Sequence, residues 1–185
     1  RLQGDWSSDV CSSDLPSRRR LAGPGFDPPE RMARPLPSRM RPWHGVPIDD
    51  CGEELVPLPA SLLRLEPHPY ASLGAPYGAG GCPFRLRSGV VSQLLAAQEA
   101  LRRHAPELRL AIFDAWRPLA VQRFMVRHAF VEECQRRGLD PDGQSPELEG
   151  ARELVARFWA APSPDPATPP PHSTGAAVEI GRAPV

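Results

Sequence analysis

The sequence predicts an α+β domain, and three features of its pattern carry that expectation. Two stretches, residues 90–104 and 118–137, repeat apolar side chains at helical spacing. Between them lies a short apolar run, Leu108–Phe113, too brief for a helix and compatible with a buried strand. Neither a repeating strand–helix–strand alternation nor a G-x-G-x-x-G turn occurs, as a doubly wound parallel sheet would bring.

Residues up to Phe84 read as irregular, because prolines crowd 57–83 and interrupt any periodic pattern. Ser88 then offers an N-cap for a helix across Val90–His104. Val90, Val91, Leu94, Leu95, Gln98 and Leu101 share one face of that helix, and Pro106 ends it. Leu108–Phe113 alternates weakly and delivers Asp114 to the end of a strand. Pro118 suits the first turn of the next helix, where its fixed φ is already helical and its missing N–H is not needed. That helix reaches about Arg137, with Val121, Phe124, Met125, His128 and Val131 near helical spacing and Gly138 as its stop. Pro146–Trp159 is a third expected helix, with Leu148, Leu154, Val155 and Phe158 turned inward. Residues 162–171 form a Pro-rich loop that can be neither helix nor central strand, and Gly175–Val178 then begins a strand.

Composition bounds the function. Twenty-two Lys and Arg residues balance twenty-two Asp and Glu residues over 185 positions. A net charge of zero provides no field to draw nucleic acid or an anionic membrane, and the run Arg18–Arg20 reads as a solvated tail. No stretch approaches the ~20 apolar residues of a membrane span. Cys51, Cys82 and Cys134 are widely spaced and lack a CxxC pair, which argues against a zinc ribbon or a disulfide framework and fits a reducing compartment. The expected location is the cytoplasm, with the periplasm as the alternative.

One segment near the C-terminus carries a chemical pattern. His172 and Glu179 stand seven residues apart, separated by Ser173, Thr174, Gly175, Ala176, Ala177 and Val178. Fully extended, seven residues would span roughly 23 Å. Two ligands of one zinc ion must lie within a few ångströms of each other, since each bond is about 2.0–2.2 Å. A shared ion therefore requires the chain to fold back, and Gly175 permits the positive φ of a tight reversal. Ala176 and Ala177 leave room for an ion and a substrate. Alone, the pattern fits either a metal site or an ordinary surface or core pair.

A second segment, Asp114-Ala115-Trp116-Arg117-Pro118, closes the apolar run. Read with His172-Ser173-Thr174-Gly175-Ala176-Ala177-Val178-Glu179, it resembles the D-alanyl-D-alanine dipeptidases, zinc enzymes of the VanX type. That family carries Asp, Gly or Ala, Tyr or Trp, Arg, Pro at a strand end, and later H-S-x-G-x-A followed by Val or Ile and then Asp. The resemblance covers roughly residues 40–179. It implies an α+β domain of the Hedgehog/D,D-peptidase type, with helices on a small antiparallel sheet that is incomplete in these residues.

The resemblance further implies one Zn2+ per intact domain, held by His172 and by the carboxylate at position 179, where this chain has Glu and the family Asp. It implies Arg117 as transition-state stabiliser, a role its rigid fork of donors suits, against the alternative of a structural arginine paired with Asp114. Trp116 is expected to wall the substrate pocket or to be plain core, Ser173 matches a family substrate contact, and Asp114 is expected to cap the following helix. Where the family often has Ser, two residues before its first His, this chain has Pro170. The family's third His ligand and general-base Glu, in an element with Glu four residues before His, have no counterpart here. His44, His68, His104 and His128 read as surface residues or as residues behind the ligands.

The implied activity is zinc-dependent hydrolysis of the dipeptide D-Ala-D-Ala in peptidoglycan precursor metabolism, with no nucleic-acid partner. The alternatives are a zinc D,D-carboxypeptidase acting on longer muropeptides and a metal-free binding module of the same fold.

Both ends read differently. Asp5–Leu15 and Glu179–Ala183 match translations of a common sequencing adapter, which divides the chain into an adapter-derived and disordered segment 1–39, a partial domain 40–179 and an adapter-derived tail 180–185. Met40, or failing that Met32, is the expected start. Glu and Asp codons share their first base, so Asp is the expected genuine residue at 179. On this reading the chain is a fragment that holds zinc weakly and is inactive, and neither terminal segment packs on the rest.

Overall fold

A computed structural model describes residues 46–78 and 81–185. The expected disordered segment 1–39 and His44 lie outside the described residues. The elements run in the order β1 (Leu55–Pro57), β2 (Leu63–Arg64), α1 (Pro69–Ser72), β3 (Arg85–Arg87), α2 (Ser88–His104), β4 (Leu108–Asp114), α3 (Leu119–Arg136), α4 (Glu147–Phe158), a 3-10 turn (Pro171–Thr174) and β5 (Glu179–Pro184). The α+β expectation holds. No helix among the described residues is long and apolar enough to cross a membrane.

The expected single antiparallel sheet is corrected to two small ones. β1 pairs antiparallel with β3, whereas β2–β4–β5 forms a mixed sheet in which β2 runs parallel to β4 and β5 antiparallel. The segment before Phe84 is not wholly irregular either. It holds β1, β2 and α1, which are two to four residues long and too short to show a period in sequence.

The three long elements fall where their periodicity puts them, with local differences. α2 begins at Ser88, not Val90, and Ser88 does not cap it. The Glu53 carboxylate does so from outside the helix, accepting the Gly89 N–H at 2.6 Å where the helix dipole favours an anion. On its inner face Val91 and Leu94 are buried, while Leu95 is 39 % exposed. Gln98 belongs to that face because its side-chain oxygen accepts the Leu110 N–H at 2.7 Å. β4 alternates as expected and buries Leu110, Ile112 and Asp114. α3 ends at Arg136, and Gly138, two residues on with a φ of 68°, turns the chain off the helical path. In α4, Leu148, Ala151 and Val155 pack inward against Val126, Phe130 and Cys134 of α3. Phe158, expected inside, is 74 % exposed, because the helix ends there and the chain turns extended at Trp159.

The expectation that residues 180–185 pack on nothing is overturned. β5 pairs with β4 along its whole length, from Leu108 opposite Pro184 to Asp114 opposite Glu179. Its side chains are mostly exposed, so the attachment is made by the backbone. An unpaired edge of β4 offers N–H and C=O groups to any extended segment, whatever side chains that segment carries.

Candidate functional site

Three pieces of chain meet at the end of β4. The linker Ala115–Pro118 joins β4 to α3, the 3-10 turn brings in His172, and β5 starts with Glu179. Linker and turn are stitched by three hydrogen bonds. The Arg117 N–H donates to the His172 carbonyl at 3.1 Å, the Ser173 hydroxyl to the Arg117 carbonyl at 2.8 Å, and the ring nitrogen Nδ1 of His172 lies 2.8 Å from the Ala115 carbonyl. The turn ends at Gly175, whose φ of 73° gives the predicted reversal. A Cβ there would run into Leu55 Cδ2.

The bond to Ala115 settles the chemistry of His172. A carbonyl oxygen only accepts, so Nδ1 carries a hydrogen, and in the neutral ring that a metal requires the lone pair is on Nε2. Nε2 lies 3.4 Å from Glu179 Oε1. Two ligands bonded to one tetrahedral ion at about 2.0–2.2 Å stand roughly 3.4 Å apart. The pair therefore fits a shared zinc ion, with an imidazole nitrogen and a carboxylate oxygen as donors that zinc accepts. A β-bulge makes this possible. Ile112 pairs with Ile180, but Asp114, not Phe113, pairs with Glu179, so one extra residue turns the Glu179 side chain to the face that carries Asp114.

Asp114 joins His172 and Glu179 in the cluster of possible donor atoms, all within 4.8 Å of one another. Its two oxygens, however, are already engaged. Oδ2 accepts from Arg117 Nε at 3.1 Å and Nη2 at 2.5 Å, and Oδ1 lies 3.2 Å from His68 Nε2. The Ala71 N–H points at His68 Nδ1 from 3.4 Å, which leaves Nε2 as the donor to Asp114. Contrary to the expectation that it caps α3, Asp114 is fully buried and anchors Arg117 and His68 instead. His68 is correspondingly not a surface residue but 5 % exposed, with Tyr70, Tyr77 and Phe84 edge-on around its ring. The Tyr77 hydroxyl is buried without a hydrogen-bond partner, and burial followed by the Asp114 charge pushes its pKa up.

Arg117 is 5 % exposed. Besides Asp114 it meets Gln122 Oε1 through Nη1 at 2.9 Å and Glu179 Oε1 through Nη2 at 3.3 Å. Its guanidinium carbon lies 5.0 Å from the ring centres of both Tyr70 and Trp159. Those rings are neighbours, 5.8 Å apart and tilted by 54°, so they make an aromatic corner against the cation. Burial opposes the charge, but Asp114, Tyr70 and Glu179 more than offset it and hold the Arg117 pKa above its ordinary value.

A pocket of about 200 Å3 opens beside these groups, lined by Arg117, Gln122, His172 and Glu179 with Phe158, Ala160, Pro170 and Pro171 at its apolar side. The structure thus brings together Arg117, His172 and Glu179 of the predicted site residues. Trp116 and Ser173 do not line the pocket; the Trp116 N–H bonds Pro83, and the Ser173 hydroxyl is held by Arg117. His104 is exposed and His128 pairs with Glu132. Of the two readings of His68, at the surface or behind the ligands, the structure takes the second, whereas Gln122 and the aromatic corner were not foreseen. Only Gln122 left a trace, as a polar residue between the inward positions Val121 and Met125.

The family described as D-ala-D-ala dipeptidase, Peptidase M15, matches residues 64–182. A D-alanyl-D-alanine dipeptidase from Synechocystis is 45% identical over 143 residues, covering 76% of this chain and 58% of the relative. The chain therefore spans less than two thirds of the length of that relative. No solved structure matches the chain.

Proposed function

The chain belongs to the Peptidase M15 family of D-ala-D-ala dipeptidases, and from that premise we propose zinc-dependent hydrolysis of D-Ala-D-Ala, with His172 and Glu179 as metal ligands and Arg117 as the group that meets the substrate's developing oxyanion or its carboxylate. The observation that carries this reading is the 3.4 Å separation of His172 Nε2 and Glu179 Oε1 beside a buried arginine at a pocket.

A bound zinc ion would supply a Lewis acid that acidifies water and polarises a carbonyl. The chain's own residues do the rest. The Ala115 carbonyl fixes the His172 tautomer, so that Nε2 faces Glu179. Asp114 holds the guanidinium of Arg117 at the end of β4, where a rigid strand and helix on either side keep it in place before substrate arrives. The apolar side, Phe158, Pro170 and Pro171, suits the methyl groups of a small peptide. Pocket size also favours one: about 200 Å3 lies below the ~300–1,000 Å3 typical of sites for drug-sized ligands. Trp116 and Ser173 would act behind this surface, through the backbone that carries Arg117.

Catalysis also needs a third metal ligand and a general base. Among the described residues the donor cluster is Asp114, His172 and Glu179, and Asp114 is committed to Arg117. Residues 46–185 are therefore proposed to bind the dipeptide and to turn it over slowly or not at all. The experiment titrates D-Ala-D-Ala into the zinc-loaded protein by calorimetry and follows D-alanine release. Binding that is lost in Arg117→Ala, with zinc retained, is the expected result. Dipeptide binding independent of Arg117, or no binding, would overturn the reading. Release of D-alanine only from longer muropeptides would replace it by the carboxypeptidase, and dipeptide binding indifferent to zinc by the binding module.

A further inference from the structure

Gln122 has the least accessible polar side chain at this site after Asp114, with 1 % exposure, and both ends of its amide are occupied. Oε1 accepts from Arg117 Nη1 at 2.9 Å, and Nε2 donates to the Ala160 carbonyl at 2.7 Å. Reversing the amide would set N–H against N–H at Arg117 and oxygen against oxygen at Ala160, so one orientation alone is allowed. Gln122, on α3, thus ties the cation of the preceding linker to the backbone that follows α4, and Arg117, Gln122 and Ala160 all line the pocket.

The donors of Arg117 can be counted. Of its five N–H bonds, Nε and one on Nη2 go to Asp114 Oδ2, the second on Nη2 faces Glu179, and one on Nη1 goes to Gln122. One N–H on Nη1 remains, beside the pocket. Asp114 grips through a single oxygen, because His68 holds the other, and a one-oxygen grip is a hinge about which the guanidinium can swing. The aromatic corner of Tyr70 and Trp159 limits tilting out of plane and leaves that in-plane swing free. Two contacts oppose it, Gln122 on Nη1 at 2.9 Å and the longer one of Glu179 on Nη2 at 3.3 Å, and only Gln122 holds the Nη1 side.

We propose that Gln122 is a positioning residue, which locks the guanidinium of Arg117 so that its remaining Nη1 N–H stays directed at the anionic part of a bound peptide. The inference deepens the proposed dipeptidase reading and rests on it for the nature of the anion.

Arginine side-chain 15N spectra of the protein test the lock, with the Arg117 signals identified by their loss in Arg117→Lys. The wild type is expected to show separate, slowly rotating Nη1 and Nη2 signals. Gln122→Met keeps length and apolar contact but removes the acceptor. Loss of a hydrogen bond to a charged group should speed rotation about tenfold or more and merge the signals. Gln122→Glu keeps an acceptor oxygen and should keep them separate. A purely structural Gln122 would lower the melting temperature and leave the Arg117 signals of the folded molecules as they were, which would overturn the proposal. A scalar coupling across the bond from Arg117 Nη1 to the Gln122 side-chain carbonyl carbon, measured on the wild type, makes the test independent of whether the methionine variant folds; absence of that coupling also overturns it. None of these spectra needs zinc or dipeptide. A protein that shows the lock and binds no D-Ala-D-Ala therefore supports the positioning role and counts against the proposed substrate alone.

Discussion

Asp114 and Glu179 are cross-strand partners only because β4 carries one extra residue between Ile112 and Asp114. In regular register Glu179 would oppose Phe113 and its side chain would leave the sheet on the other face. The bulge brings two carboxylates to one arginine and places the second beside His172. Like charges at this distance are tolerable because Arg117 lies between them, and that arrangement governs what substitutions should do.

Zinc binding should be weak and should depend on both donors. Two protein ligands leave half of a tetrahedral coordination sphere to water. Equilibrium dialysis is expected to show low-affinity zinc binding that His172→Ala abolishes and Glu179→Asp retains, since the shorter acid keeps the oxygen donor. Tight one-to-one binding by this chain would contradict the two-donor site.

Arg117 is structural as well as functional. Removing it leaves Asp114 fully buried with only the rings of His68 and His172 beside it, at 3.2 and 3.5 Å, and breaking a buried ion pair typically costs about 3–5 kcal/mol. Arg117→Ala should lose stability on that scale in urea unfolding. Arg117→Ala with Asp114→Asn should lose clearly less than the sum of the two single changes, as contacting pairs do. Additive losses would mean that the pair is not coupled. Activity comparisons must accordingly be made per folded molecule.

Gly175 should not tolerate a side chain. Its φ of 73° disfavours any L-residue, and a Cβ would meet Leu55 Cδ2. Gly175→Ala is expected to cost about 1–3 kcal/mol from the backbone alone. Adding Leu55→Ala should relieve the collision and leave the backbone part, so the double variant should be less destabilised than additivity requires.

Acid should remove one identifiable contribution to stability. Hydrogen bonds from Arg136, with further help from Arg137, hold the Glu133 carboxyl down at about 2 against an ordinary 4.5. A depressed acid stabilises the fold above its unfolded pKa and loses that contribution as pH falls through the folded value. Because Arg136 is largely exposed, screening limits the effect to about 1 kcal/mol. Glu133→Gln should be less stable than wild type at neutral pH, and the difference should vanish between pH 4.5 and about 2. A difference constant over that range would remove Glu133 from the account.

The sequence by itself determined what depends on near neighbours along the chain. The periods of α2, α3 and β4, the stop at Gly138 and the reversal at Gly175 are all set by spacings of a few residues. The two motifs, the Arg-Pro corner and the His-to-acid segment, are each legible within their own few residues, while their association rests on the family resemblance. Tertiary structure decided whatever depends on contacts between distant segments. His68 became a buried partner of Asp114 across 46 positions, and Gln122 reached Ala160 across 38. Phe158 was left outside because the chain turned away from the helix axis at Trp159. The parallel pairing of β2 and the docking of β5 were invisible for the same reason: backbone hydrogen bonds carry no side-chain signature, so a short segment declares itself a strand only when an open edge lies beside it.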